Sequence, residues 1–510
     1  MNYKLSAMAL ATSLILTGCM SSSDSNTDGG SNPLPKPTTA KNVILMISDG
    51  ASDGAWDIAS FYTHGQMANE VAPLKDMPHR YAMTTYPLNQ SLSPPIFGGC
   101  NDSNTEDVLT PKFTYDPEKA WSDKRVDDPE ARRMFEGYEY LDTNWTDSAA
   151  AGTAMATGTK TFINGISVDG CGDPLKLITE YAKDAGKSTG VVTSVNLAHA
   201  TPAVFGTKDT TRLFMNRLTS GMLSLGHLDL IMGAGHPDYD DDGVRTDSPN
   251  FATISEDDWA SVTSGLLFPA GSELPWGFMD TLSQFEALAG DYAAPALMEG
   301  PLLAIPQVKQ TLQQRRTCTA EERMEAFACK EIPDMPTLEM MTKGALNYLG
   351  QNENGFFVMI EGGAVDWAAH DNDTGLIIEE QTDFHDSISA VMEWVETNSN
   401  WDETLLVITT DHGNSYVLGE TSDLEAYAPV NESNVGTTPE VKYYSGDHTA
   451  ELVRVYAKGF GATRFEEHFD GNDPYYADKY RNEGATGEYF DNTNIFDVMK
   501  SVMFEAVNPM

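Results

Sequence analysis

Asn42-Val43-Ile44-Leu45-Met46-Ile47-Ser48-Asp49-Gly50 is the stretch that decides the fold. Five apolar residues follow one another without a polar break, and the run stops at Ser-Asp-Gly. A strand with one wet face alternates apolar and polar residues. An unbroken run predicts a strand buried on both faces, as in a parallel sheet covered by helices. Similar runs recur at 190–195, 228–232, 356–360, 405–408 and 452–456, with helical stretches such as 175–185 and 377–395 between several of them. Strands alternating with helices predict an α/β fold: a three-layer sandwich with a largely parallel central β-sheet flanked by helices.

Two stretches look like insertions. Residues 87–140 are rich in Pro, Asp and Lys with weak periodicity, and 236–335 mix acidic loops with short helical pieces. Both are expected to decorate one large domain spanning 41–510. Residues 19–40 are rich in Ser, Asn, Asp, Gly and Pro and read as a flexible tether. Residues 1–18 read as a signal peptide of the lipoprotein type. Lys4 gives a positive start, and the apolar run at 5–16 is too short to span a bilayer as a permanent helix. It ends in Leu16-Thr17-Gly18-Cys19, which resembles a bacterial lipobox with Cys19 as the lipidated residue. The expectation is an exported protein, periplasmic or at the cell surface, meeting a membrane only through lipid on Cys19. Four further cysteines, Cys100, Cys171, Cys318 and Cys329, suggest disulfides in an exported chain. Three pairings are possible; the one in which Cys318 and Cys329 close a short loop, leaving Cys100 with Cys171, is favoured.

Lys and Arg total 32 against 76 Asp and Glu, a net charge of −44. Such acidity argues against nucleic acid as a specific partner, because phosphate backbones are bound by Lys and Arg. It suits a protein kept soluble in salt.

Ligands of open α/β sheets bind beyond the carboxyl ends of the strands. The polar residues there are Asp49, then Glu361 and Asp366 with His370 four residues on, then Asp411-His412, while His448 precedes the run at 452–456. Carboxylates and imidazoles are the ligands of zinc and magnesium. A single Asp after a strand is more often a helix cap; several in register across one sheet are not explained that way. Asp366 and His370, at i and i+4, share one side of a helix. Thr146-Asp147-Ser148-Ala149-Ala150-Ala151 predicts a helix with Ser148 at its N-terminus, where free N–H groups favour an anion. The acidic run at 238–243 resembles the start of a calcium loop, but Pro249 stands where a bidentate Glu is needed.

Asp-Ser-Ala-Ala at 147–150, His-Ala-Thr-Pro at 199–202, Glu-Gly-Gly-Ala-Val-Asp-Trp-Ala-Ala-His at 361–370, Thr-Asp-His at 410–412 and His-Thr-Ala at 448–450 resemble, in order, the motifs of the bacterial alkaline phosphatase family. The resemblance implies hydrolysis of small phosphate monoesters through a phosphoserine on Ser148, with two Zn2+ and one Mg2+. It implies Asp366, His370 and His448 as ligands of the first zinc. Asp49, Asp411, His412 and Ser148 would serve the second, and Asp49, Thr201 and Glu361 the magnesium. Arg212, thirteen residues after His199, matches the arginine that clamps phosphate, with Asp147 orienting it. His199 and Trp367 stand where some bacterial members have Asp and Lys. His199 would then act near the magnesium, directly or through water, and Trp367 could donate only its indole N–H to phosphate. Members of the family are often dimers and some with large insertions are monomers, so the resemblance leaves a homodimer and a monomer open. Three rival readings are less well supported. A sulfatase lacks support, since no cysteine lies in a Cys-x-Pro-x-Arg context. A phosphodiesterase of the superfamily generally lacks the third metal site. A non-catalytic, cation-binding lipoprotein does not require Ser148 and Arg212.

Overall fold

The computed structural model describes residues 38–95, 100, 105–127, 133–290, 300–480 and 484–505. The signal segment, Cys19 and the tether up to residue 37 lie outside these.

An eleven-stranded sheet runs through the molecule. Its strands are β1 (Asn42–Ser48), β2 (His79–Thr84), β3 (Ser188–Asn196), β4 (Leu230–Ala234), β5 (Gly277–Met279), β6 (Leu302–Ala304), β7 (Phe356–Gly362), β8 (Thr404–Thr409), β9 (Val453–Gly459), β10 (Gly471–Asn472) and β11 (Glu488–Asp491). Their spatial order is β10-β11-β2-β9-β8-β1-β7-β3-β4-β6-β5. β1 pairs in parallel with β7 and β8, and β3 in parallel with β7 and β4. β9 runs antiparallel to both β8 and β2.

The opening run behaves as its composition requires. Val43, Leu45 and Ile47 enter the core on one face of the sheet, and Ile44 and Met46 enter the core on the other. All five are fully buried, and burial of side chains of this size contributes about 1.5–3 kcal/mol each. The run at 452–456 becomes β9, and its reversed direction has a consequence for the site. An antiparallel strand begins at the edge where its parallel neighbours end, so His448, just before β9, arrives beside residues that follow β1, β7 and β8.

The segment 236–335 does more than carry loops and short helices, because β5 and β6 within it extend the sheet at one edge. The segment 87–140 supplies Phe135, Tyr138 and their neighbours, which pack with Tyr416, Tyr427 and Tyr444 in a separate aromatic cluster. The cysteines pair as Cys100–Cys171 and Cys318–Cys329, the favoured pairing. The aspartates at 240–242 turn to separate protein donors rather than to one point. Asp240 accepts from the N–H groups of Asp242 and Val244, Asp241 from Lys309 and Gln310, and Asp242 from Thr317.

The first helix, Asp53–His64, is fixed beneath the Asp49 turn by a buried ion cluster. Arg454 of β9 pairs with Asp53 through two nitrogens and with Asp57 at 3.0 Å. The long helix Thr374–Asn398 covers one face of the sheet and buries Glu380. Burial first, then the charges of Asp383 and Glu379, lift the Glu380 carboxyl from the ordinary 4.5 to about 8. The folded chain therefore holds this proton more tightly than the unfolded chain. The resulting stability is whole below pH 4.5 and is lost as pH rises through 8. Glu380→Gln, which resembles the protonated form, is expected to match wild type in urea unfolding at pH 4. At pH 9 it should exceed wild type by on the order of 5 kcal/mol. An equal difference at both pH values would contradict this account.

Candidate active site

Each site residue is delivered by a strand end or a helix start. Asp49 follows β1, and its turn requires Gly50, which has φ +64°; a methyl there would lie 2.5 Å from Asp366 Oδ1. Glycine thus allows the Asp366 carboxylate to approach the turn. Glu361 ends β7. Asp366 and His370 lie on the helix Ala364–His370, with His370 Nε2 3.4 Å from Asp366 Oδ2. Asp411 and His412 follow β8, and the short strand His448–Thr449 pairs with Gly413–Asn414.

Ser148 begins the helix Ser148–Thr157, but it is not the cap. Asp147 is, accepting the Ala150 N–H at 3.0 Å through Oδ1. The cap role is therefore filled by a neighbour, and the Ser148 hydroxyl turns into the site. Its Oγ lies 3.2 Å from His412 Nε2 and 3.5 Å from Asp49 Oδ1. The small residues after it let the helix approach closely: a methyl on Gly152 would lie 2.8 Å from Val204 Cγ2.

Ligand atoms gather in three overlapping sets, each within 4.8 Å: Asp366, His370 and His448; Asp49, Asp366 and His412; and Asp49, His199 and Glu361. Asp411 joins the second through Oδ2, 3.2 Å from His412 Nε2. Thr201 joins the third, its Oγ1 3.2 Å from Asp49 Oδ2. Three imidazoles face backbone carbonyls with Nδ1: His448 toward Thr146 at 2.7 Å, His412 toward Gly413 at 3.3 Å and His370 toward Gly446 at 3.4 Å. An Nδ1–H donated to a carbonyl leaves Nε2 with its lone pair, the tautomer that ligates metal.

The electrostatics say what this arrangement lacks. Burial, followed by the charges of Asp411, Asp366 and Glu361, pushes the Asp49 carboxyl well up. Burial also raises Glu361 and Asp411. At Asp366 burial works in the same sense, but His370 and His448 outweigh it and hold the carboxyl well below its usual range. Burial, then Arg212, lowers His199 to about 3, so it is neutral. Among the described residues no well-formed hydrogen bond reaches either Glu361 oxygen or Asp411 Oδ2, although Thr193, Thr201 and Asp49 flank Glu361. Buried carboxylates in contact, some with unpartnered oxygens, need cations. The donor set of carboxylates, imidazoles and hydroxyls fits zinc and magnesium.

Arg212 stands across the site. Its Nη1 donates to Asp147 Oδ2 at 3.0 Å and its Nη2 lies 3.1 Å from His199 Nε2. Trp367 meets His199 edge to face, ring centroids 5.5 Å apart. Above Ser148 opens a cavity of about 220 Å³ whose wall includes Arg212, Trp367 and His448. Every site residue expected from the sequence, Cys19 apart, lies at this one edge of the sheet. Two contributors were not anticipated. Asn414 donates to Asp366 Oδ1 at 2.7 Å and holds that carboxylate; its only signal was its place two residues after His412. Arg315 lines the cavity, yet in sequence it is one of two adjacent arginines in an acidic segment.

Comparison with known proteins agrees with this geometry. The family profile for alkaline phosphatase matches residues 133–247 and 313–428. Alkaline phosphatase 4 of Bacillus subtilis is 30% identical over 276 residues, 53% of this chain and 50% of that protein. The chain spans about half the length of the two Bacillus subtilis relatives it matches. The Escherichia coli alkaline phosphatase is 24% identical over 462 residues, 86% of this chain and 85% of that protein. The alkaline phosphatase of the Antarctic bacterium TAB5 shares the fold with a TM-score of 0.56, at 20% identity over 91% of this chain and 98% of that one. A histidine-to-glutamate mutant of that protein has Mg bound in its M3 site. In sequence the chain is thus similar to alkaline phosphatases, and it shares their fold.

Chelation provides a test of the cation requirement. Treatment with EDTA should destabilise the protein by about 3 kcal/mol or more, the scale of uncompensated buried charge, and zinc with magnesium should restore it. An unchanged melting temperature after verified metal removal would show that the carboxylates need no ion.

Proposed function

We propose that this protein hydrolyses phosphate monoesters to an alcohol and inorganic phosphate through a phosphoserine on Ser148. The observation that carries the reading is the position of Ser148 Oγ, at a helix start, beside His412 and Asp49 and below the cavity that Arg212 lines. Asp366, His370 and His448 would hold one zinc, Asp49, Asp411 and His412 a second with Ser148, and Asp49, Thr201 and Glu361 a magnesium. His199 stands beside this last set as a neutral imidazole. When bound, such ions polarise phosphoryl oxygens and favour the deprotonated serine.

The protein's own groups do the rest. The helix N-terminus lays backbone N–H groups toward the anion. Arg212 can present two N–H groups to two phosphoryl oxygens, a match that Lys would make less well. Asp147 holds the guanidinium from behind and also caps the Ser148 helix, so one carboxylate sets the relation between nucleophile and clamp. Ser148 Oγ forms a bond to phosphorus as the ester oxygen departs and is protonated to the alcohol. Water then takes the phosphoryl group from Ser148, releasing phosphate and restoring the hydroxyl. We further propose export, with lipid on Cys19 as the membrane attachment; among the described residues no helix is long and apolar enough to cross a membrane. A homodimer is also proposed, from the resemblance alone.

Ser148→Ala should retain its metal content and lose turnover of p-nitrophenyl phosphate by about 10³-fold or more. Arg212→Ala should lose about 10²-fold. Wild type should prefer p-nitrophenyl phosphate to bis-p-nitrophenyl phosphate. Wild-type turnover in Ser148→Ala would remove the serine from the mechanism, and preference for the diester would reassign the substrate class.

A further inference from the structure

The cavity above Ser148 has a wall that the proposed hydrolysis does not use. Arg315 lines it, and the chain around Arg315 is held firmly. Arg316 is buried, pairs with Glu379 at 2.5 Å and donates to the carbonyls of Gln313 and Cys329. Gln314 is buried as well, and the Arg315 N–H donates to Thr311 Oγ1 at 2.8 Å. Thr317 bonds Asp242 through both its N–H and its hydroxyl, and Cys318 is tied to Cys329. Fixed on both sides, this stretch turns Arg316 inward and releases the Arg315 side chain, 42% exposed, at the mouth of the site.

The Arg315 guanidinium lies over Trp367, 4.9 Å from the ring centroid. Trp367 meets His199, and His199 meets Arg212. A run of contacts through two aromatic rings thus links the two guanidiniums. Their commitments differ. Arg212 is engaged by Asp147 and His199. Arg315 has one ion pair within 4 Å among the described residues, to Asp371 Oδ2 at 3.9 Å, and Arg323 approaches that same oxygen more closely, at 3.2 Å. Among the described residues its guanidinium donates no hydrogen bond to the protein. A guanidinium stacked on an indole has its plane set while its edge N–H groups stay free for an acceptor. In a chain of net charge −44, a cation left uncommitted beside a phosphate site selects for anions.

We infer that Arg315 binds a second anionic group on the leaving-group side of the substrate. The site then favours phosphate monoesters whose alcohol carries a further phosphoryl or carboxylate group. This rests on the phosphomonoesterase reading and narrows its substrate class.

The test compares kcat/KM for phenyl phosphate and 3-carboxyphenyl phosphate in wild type, Arg315→Ala and Arg315→Lys, at low and high ionic strength. Taking the ratio of the two substrates within each protein cancels any general loss from altered folding. Arg315→Ala should reduce the ratio, carboxylated over plain, by about 5- to 50-fold, the range of a charge-assisted contact at a partly exposed site. The change should fall mainly on KM. Arg315→Lys should keep part of the preference, and salt should erode it in wild type more than in Arg315→Ala. A ratio unmoved by Arg315→Ala, with phenyl phosphate still hydrolysed by wild type, overturns this inference alone. Absence of wild-type turnover of either ester overturns the phosphomonoesterase reading beneath it.

Discussion

Four carboxylates, Asp49, Glu361, Asp366 and Asp411, are buried together at the carboxyl edge of the sheet, and their mutual repulsion is the constraint around which the site is built. Burial alone makes a charged carboxylate costly, and a second one in contact adds to the cost. The protein answers in part with its own groups. His370 and His448 approach Asp366, and the Gly50 and His412 N–H groups donate to Asp411 Oδ1. Among the described residues Glu361 has only the flanking Thr193, Thr201 and Asp49, with no well-formed hydrogen bond to either oxygen. The remaining charge is a demand for divalent cations, and it explains why imidazoles in the ligating tautomer surround this cluster.

The scaffold meets the demand by geometry. Parallel neighbours β1, β7 and β8 end at one edge, so residues far apart in sequence are delivered within ligand distance of one another. The antiparallel β9 supplies His448 at its start instead of its end. The same strand carries Arg454, whose pairing with Asp53 and Asp57 anchors the helix that follows the Asp49 turn. The segment that leads into β9 thus positions a candidate ligand, and β9 itself steadies the turn that carries another.

Much of this was legible in the sequence because it follows from local patterns. The run at 43–47 had to be a strand buried on both faces, and a polar residue just beyond such a strand had to lie at the ligand-binding edge. What was not legible depends on tertiary approach. β5 and β6 are three residues each, too short to show a period. Nothing local distinguishes Arg315 from Arg316, since the same residue type serves once as a buried partner of Glu379 and once as a free guanidinium. Ser148 illustrates the middle case. From sequence it could have been the helix cap, and only the Asp147 carboxylate on the Ala150 N–H releases it from that role.

The acidity of the chain sharpens the contrast between surface and site. Phosphate esters are anions, and a surface of net charge −44 repels them wherever its charge is uniform. Screening confines that repulsion to about 10 Å at moderate ionic strength, so charges close to the cavity decide whether such an anion approaches. There the order is reversed: Arg315 stands at the mouth, Arg212 lies further in, and the Ser148 helix N-terminus lies at the base. Their partners are placed so that the attraction survives. Asp147 takes one edge of Arg212 and cap-bonds with its other oxygen, while Asp371 is shared between Arg323 and Arg315. In a less acidic protein scattered lysines would blur such a gradient; here the general negative charge makes these two guanidinium groups selective.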